Sequence, residues 1–481
     1  MTEPPESAGA GFAGAGAGNN ELAFVSALEQ AALVRSGEVS SAELVELYLR
    51  RIEELDPQLN SFVTVCDERA RADARSPRPG PFSGIPIPVK DLNATAGIRT
   101  TLSSRAFADW VPDFDAAVVT RLRAAGFVVI GKTNTPELGL TPITNSELNG
   151  VCRNPWDLAR TPGGSSGGAA AAVAAGLAPV AHGSDGGGSI RIPASCCGLF
   201  GLKPSRGRVS PAPYGDLYGL SSSGPLARTV ADAAALLDAI AGNEPGDPLL
   251  CPPPARPFLE EAGADPGRLR IAWTTEPPRQ VAVDPACAAA ARDAAELLAS
   301  LGHEVEERTP PWQWEEVAAA FTRIWQTIPT LYGAEAVAQM EPLARALAEQ
   351  AATVSAPEYL ANLVEVQAFA RRVVSFWDDV DLVLTPTLAL PPVPVDWLDD
   401  EPDPWVQFAM GALFTPFTPV VNVTGQPAAS VPLSWSDDGL PVGVQLIARP
   451  ADEATLIRVS AQLEAARPWA QRRPPLADPA A

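Results

Sequence analysis

A chain of 481 residues with 57 acidic against 35 basic side chains carries a formal charge of -22. That balance argues against a nucleic-acid partner, whose phosphates call for concentrated Lys and Arg. Six cysteines without a close CxxC pair, and only two histidines, exclude a disulfide scaffold and the common zinc sites.

The length exceeds one ordinary hydrophobic core, and average domain size alone would divide it into about three. No linker supports that division. Instead, 46% hydrophobic residues, with apolar segments alternating with helical ones, favour one large α/β unit with a peripheral helical region. The first six residues are acidic and lack an apolar signal core. Residues 9–19 are a glycine and alanine stretch with almost no side chain to bury, so residues 1–20 read as a disordered tail. No apolar run reaches membrane-spanning length, which excludes a membrane-spanning reading. Cys196 and Cys197 sit in an apolar run as small buried side chains, and reducing, cytoplasmic surroundings fit such cysteine usage.

Apolar positions at helical spacing over 22–55, interrupted by Ser36-Gly37 and restarted at Ser40-Ser41, predict two helices. A short strand follows at 62–65, then a polar helix and a proline-rich turn at 77–81. The β-branched segment 85–91 ends in Lys90-Asp91. A lysine at the end of a buried strand must reach solvent or find partners, because an unpaired ammonium is costly to bury. A helix over 115–125 and a strand over 127–131 continue the α/β order.

Two glycine-serine runs, Gly163-Gly164-Ser165-Ser166-Gly167-Gly168 and Gly183-Ser184-Asp185-Gly186-Gly187-Gly188-Ser189, bracket a string of strong helix formers at 169–176. Beyond them the pattern predicts a helix at 230–241, a strand at 269–273, a helix at 285–301 and a mainly helical region with many aromatics at 312–377. Strands return at 380–384 and 442–447, and the last helix spans 452–464. The aromatics of the helical region either line a substrate entry wall or pack its helices onto the sheet, and packing is the plainer reading.

Neither glycine run is followed by the Gly-Lys-Ser/Thr ending of a phosphate loop. A Ser-His-Asp hydrolase needs an imidazole within reach of the nucleophile. Of His182 and His303, only His182 lies near Ser189 in sequence, and its apolar context reads as structural. The Gly-x-Ser-x-Gly elbow is absent around Ser189. The glycines can supply an oxyanion hole, the N–H groups of Gly186, Gly187, Gly188 and Ser189 converging where a carbonyl oxygen becomes negative. Ser189 would attack from the same loop. Lys90 is the candidate base if desolvation makes it neutral, with Ser165 between the two. A salt bridge is the bland alternative for such a lysine.

These motifs, continued by Ile190-Arg191, by residues 198–204 and by Val89-Lys90-Asp91, resemble the amidase signature family of serine hydrolases over nearly the whole chain after the tail. Within it, the resemblance is to bacterial stand-alone amidases of the 6-aminohexanoate cyclic dimer hydrolase and aryl acylamidase kind. It implies one α/β/α domain over 21–475, built on a large, twisted, mostly parallel mixed sheet with helices on both faces, and with 305–378 as a helical region lining the cleft. It also implies Ser189 as nucleophile, Ser165, behind a cis peptide bond, as the bridging serine, and Lys90 as base. Asp185 and Arg191 brace the loop and Ser166 is a nearby hydrogen-bonding residue. No cofactor or metal is implied. The implied reaction is hydrolysis of aryl or aliphatic acylamides through an acyl-enzyme, with esters and small carbamates (urethanase activity) presenting a similar carbonyl, by a monomer or homodimer. The alternatives are a glutaminase or transamidase-type subunit of a complex and a noncatalytic binding protein that keeps the fold.

Overall fold

The apolar runs become strands β1 (Phe62–Val65), β2 (Pro86–Lys90), β3 (Val128–Thr133), β4 (Asn145–Ser146), β5 (Gly150–Val151), β6 (Val180–Asp185), β7 (Phe200–Lys203), β8 (Ser222–Ala227), β9 (Arg270–Trp273), β10 (Glu304–Glu307), β11 (Leu382–Pro386), β12 (Ala428–Trp435) and β13 (Pro441–Ala448). They belong to a computed structural model that describes residues 17–215, 218–398 and 401–477. Eight strands form one mixed sheet in the order β10-β9-β11-β13-β12-β7-β8-β6. Along β11 the side chains alternate between the two faces, as a strand requires. Leu382 and Leu384 join Val444, Leu446 and Val431 beneath the helices Val230–Ile240, Pro285–Ser300 and Glu453–Ala466. Val383 faces the opposite way with Ala272, Ala428 and Ile447, under Trp312, Ile324, Phe369 and Trp377 of the helical region. Both faces are therefore covered, which is why these strands read as apolar runs rather than alternating ones.

The expectation of a mostly parallel sheet is corrected by the pairing. Only β10 with β9 and β9 with β11 run parallel. The other neighbours, from β11 with β13 through to β8 with β6, are antiparallel. The reason lies in the connections: β9 and β10 are joined through the long helix Pro285–Ser300, as a parallel crossover requires, whereas β12 and β13 are joined by a tight turn at Gly439.

The helical region packs as the helices Ala318–Trp325, Pro342–Ala351 and Ala356–Val374 on the second face of the sheet. The stretch from 304 to 307 is an edge strand rather than part of it. At the amino terminus, the expected tail lies outside the described residues up to 16, and Ala17–Leu22 is a short helix. The helices Ala27–Ser36 and Ser41–Leu59 each begin with a complete capping box, at Ser26 with Glu29 and at Ser40 with Glu43.

A second sheet, ordered β1-β3-β2, lies with β2 against β6. Between the two sheets runs the fully buried helix Gly167–Ala174, whose side chains are mostly methyl groups. Small residues let its backbone approach both sheets. At Gly168 an added Cβ would overlap the Asn134 amide nitrogen and the Ser61 carbonyl oxygen, neither of which has a flexible side chain to move aside. Gly168→Ala is therefore expected to destabilise the protein by about 1–3 kcal/mol through overpacking. A fall of several degrees in the thermal midpoint at fixed scan rate checks this. Gly263→Ala, at an exposed position with open space around it, serves as the control that stays at the parental midpoint.

Candidate active site

The end of β2 and the end of β6 bring the buried Lys90 and the half-buried Ser184 together, beside the buried Ser165. Lys90 is the last residue of β2, is 0% exposed, and directs its Nζ to Ser165 Oγ at 2.7 Å, to Ser184 Oγ at 3.0 Å and to the Ser184 carbonyl at 3.3 Å. Burial lowers its pKa to about 7, and the charge of Asp185 opposes that shift. With three oxygen neighbours and no carboxylate in contact, the amine can exist neutral and accept a proton from a hydroxyl.

The first glycine-serine run places Ser165 and Ser166 at the start of the helix Gly167–Ala174, after a Gly164–Ser165 peptide that is cis. Ser166 ties this segment to the second run. Its hydroxyl donates to the Ser184 carbonyl at 3.1 Å and accepts from the Ser184 amide at 3.2 Å. Its own amide donates to the Ser189 carbonyl at 3.2 Å. The structure thus joins Lys90 to Ser165 and holds Ser189 beside Ser166. It does not close a hydrogen bond between Ser165 and Ser189, and the Ser189 hydroxyl has no partner among the described residues. Such bonds commonly tighten only when substrate is in place.

Asp185 organises the loop from 186 to 191. Its carboxylate accepts from the amides of Gly188, Ile190 and Arg191 at 2.7, 3.2 and 3.4 Å, from Arg191 Nε and Nη2 at 2.9 Å each, and from Asn422 Nδ2 at 2.9 Å. Burial alone pushes this carboxyl up. The charge and hydrogen bonds of Arg191, helped by Lys203 and Asn422, outweigh it and hold the group well below the usual carboxylate range. The remaining donors of Arg191 reach Gln445 Oε1 at 2.6 Å, the Thr418 carbonyl at 3.0 Å and Asn422 Oδ1 at 2.7 Å. Asp185 and Arg191 thus form a two-point ion pair.

One expected oxyanion donor needs correction. The Gly188 amide is taken up by Asp185, so it points into the loop rather than towards a substrate. Gly188 is glycine for a steric reason: its φ is 130° and a Cβ would run into Thr418 Oγ1 and Ile192. The amides of Gly186, Gly187 and Ser189 have no acceptor among the described residues. Thr418 holds the same Gly187–Gly188 peptide from its other side, donating from its hydroxyl to the Gly187 carbonyl at 2.8 Å.

Ser189 and Gly187 open onto a cavity of about 290 Å³. Its walls come from the segment 139–142, from Trp314, Phe321 and Trp325, and from the helix Pro404–Phe414. Phe321 stacks on Trp325 with centroids 5.4 Å apart and meets Trp314 edge-on at 5.1 Å. Thus both readings of the aromatics hold, for different residues. Trp314 and Trp325 form cavity wall, whereas Trp312, Phe369 and Trp377 pack the helices onto the sheet.

His182 lies on β6 with its Nε2 at 3.2 Å from Ser223 Oγ, and burial followed by the charge of Lys90 lowers its pKa to about 3. It is a neutral structural side chain with no bond to Ser189. His303 is remote, bonded to Gln462. Sequence reasoning missed Ser184, although it stands inside the quoted motif, and it missed Thr418, Asn422 and Gln445. No spacing signal links those three to a loop more than 200 residues earlier. Among the described residues no group of His, Cys, Asp and Glu could hold a metal ion, all six cysteines are free, and no helix is long and apolar enough to cross a membrane.

The Amidase family profile matches residues 43–457. The putative amidase AmiB2 of Mycobacterium tuberculosis is 44% identical over 475 residues, covering 94% of this chain and 98% of its own. The structure of 6-aminohexanoate cyclic dimer hydrolase complexed with substrate superposes with a TM-score of 0.91 at 38% identity, covering 95% of this chain and 99% of that one. A bacterial aryl acylamidase of the amidase signature enzymes gives a TM-score of 0.82 at 30% identity over 95% and 98%. The chain belongs to the amidase signature family, whose hydrolases act on carbon–nitrogen bonds.

Proposed function

We propose that this protein hydrolyses small aryl or aliphatic acylamides through an acyl-enzyme on Ser189, with Ser165 as the proton bridge and Lys90 as the base. Esters and small carbamates present a similar carbonyl to the same serine. The observation that carries the reading is the buried amine of Lys90, its pKa lowered to about 7, at 2.7 Å from a serine hydroxyl beside the only catalytic-type loop that opens onto the cavity among the described residues.

Ser189 Oγ attacks the carbonyl carbon as its proton passes to Ser165 Oγ and the proton of Ser165 passes to neutral Lys90 Nζ. The carbonyl electron pair moves onto oxygen, and the amides of Gly186, Gly187 and Ser189 are the donors free to receive it. The proton on Lys90 returns through Ser165 to the amine nitrogen, the C–N bond breaks, and the amine leaves neutral. Water then attacks the Ser189 ester by the same relay, releasing the acid and restoring Ser189. The cavity's aromatic wall suits apolar acyl or aryl groups, and the similar proteins named above include a 6-aminohexanoate cyclic dimer hydrolase and an aryl acylamidase.

Intact mass after treatment with a small sulfonyl fluoride tests the nucleophile. One adduct on the parent protein and none on folded Ser189→Ala is the expected result. An adduct that survives in the variant would locate the reactive group elsewhere.

The base is tested by pH. Because the active form of Lys90 is deprotonated, kcat/KM for an anilide should rise about tenfold per pH unit below about 7 and level off above it. Lys90→Ala should lower the plateau by roughly 10²–10⁴-fold, the usual contribution of a general base. A profile that falls with rising pH across that range would exclude a neutral lysine as the base.

A further inference from the structure

Among the described residues lining the cavity, one side chain is charged. Arg279 follows β9 in the loop that leads to the helix Pro285–Ser300, is half-buried, and makes no ion pair or hydrogen bond through its guanidinium within the described residues. A guanidinium presents five donors in a planar fork that fits a carboxylate at two points. In this chain most comparable groups are used: Arg191 spends every donor, and Arg206 and Arg208 each bond carbonyls or a carboxylate. An arginine left open on an otherwise apolar wall, in a protein with a formal charge of -22, is therefore a conspicuous site for an anion.

Its position relative to the reacting serine follows from contacts. A Cβ on Gly187 would stand 3.9 Å from Phe321 and from Trp325, so the aromatic wall begins over the loop that carries Ser189. Phe321 leads on to Trp314 at 5.1 Å between centroids, and the Trp314 amide donates to the Pro278 carbonyl at 2.8 Å, directly before Arg279. The cavity is thus lined by Ser189, by an aromatic face that begins over the loop carrying it, and by a cation from the segment bonded to Trp314. The other polar side chains on the wall, Thr141, Ser189, Thr322, Gln407 and Thr415, carry no charge, and three of them are already bonded to backbone carbonyls. Gln407 donates to the carbonyls of Leu398 and Glu401, Thr141 to that of Ile143 and Thr415 to that of Gly411.

We propose that Arg279 binds a carboxylate on the substrate, so that the enzyme prefers amides in which an apolar spacer separates the scissile bond from a terminal carboxylate. The spacer lies along Trp325, Phe321 and Trp314. This assignment rests on the amidase reading above and adds the substrate class to it. Arg279 touches no reacting atom; it binds the far end of the substrate, and the hydrolytic step is unchanged.

The test uses two pairs of matched substrates. One compares dicarboxylic acid monoanilides with alkanoic anilides of the same chain length, placing the carboxylate in the acyl half. The other compares N-acetyl ω-amino acids with N-acetyl alkylamines, placing it in the amine half. In one of the pairs the parent enzyme should favour the carboxylate member by roughly tenfold to a hundredfold in kcat/KM, the size of a charge-assisted hydrogen-bonded contact. Arg279→Gln should bring that ratio close to one, mainly through KM, and Arg279→Lys should retain part of it. Equal rates for both members of both pairs, or a preference that survives Arg279→Gln, would overturn the assignment while leaving amidase activity established by the neutral substrates. If the neutral anilides are also left intact, the amidase reading fails and takes the assignment with it.

Discussion

Two oppositely charged side chains, Asp185 and Arg191, face each other at zero exposure, and the loop from 186 to 191 is wound around their contact. Taking such a pair out of water costs several kcal/mol per ion, and the pair recovers this only with good geometry and every remaining donor satisfied. Here the geometry is two-point and all five guanidinium donors are engaged. The carboxylate has also drawn in three loop amides, so the chain from 186 to 191 has little freedom left. What the pair secures is position: it decides which loop amides turn inwards and which stay open towards the cavity. The same contacts reach Thr418 and Asn422, so the carboxy-terminal third of the chain takes part in holding a loop near residue 188.

The second requirement is a dry amine. Burial lowers the pKa of Lys90 and Lys203 to about 7 and that of Lys132 to about 8. Depressed basicity alone would therefore not single out a catalytic lysine. Their partners do. Lys132 faces Asp91, the Asn93 carbonyl and the hydroxyls of Thr95 and Thr100, and Lys203 donates to the Pro204 carbonyl, and none of these partners lines the cavity. Lys90 ends on a serine hydroxyl that can pass a proton onward, next to the loop that opens on the cavity.

Much of the secondary structure was legible because its signals are local. Capping serines with glutamate three residues later mark two helix starts, and the runs at β2, β3, β11 and β13 are rich in β-branched and leucine side chains. Strands β6 and β8 gave no such signal. The first reads Val-Ala-His-Gly-Ser-Asp and the second Ser-Ser-Gly-Pro-Leu-Ala, with Pro225 opposite His182 inside the sheet. Small, polar and proline-containing segments become strands here because their neighbours supply the pairing, and intrinsic preference yields to that context. The antiparallel bias of the sheet was hidden for the same reason, since pairing direction depends on which strands meet.

What the sequence by itself determined is the chemistry available to this protein: a serine-rich pair of glycine loops, a lysine at a strand end, only two histidines, the one near Ser189 in an apolar context, and a motif long enough to indicate the family. Those features are properties of residue types in fixed order. The tertiary structure decided which of them meet. It set Lys90 against Ser165 and Ser184, gave the Gly188 amide to Asp185, recruited Thr418, Asn422 and Gln445 from far along the chain, and left the Arg279 guanidinium on the cavity wall without a partner among the described residues. Hydrogen bonds and burial act through space over a few ångströms, and separation along the chain carries no record of that distance.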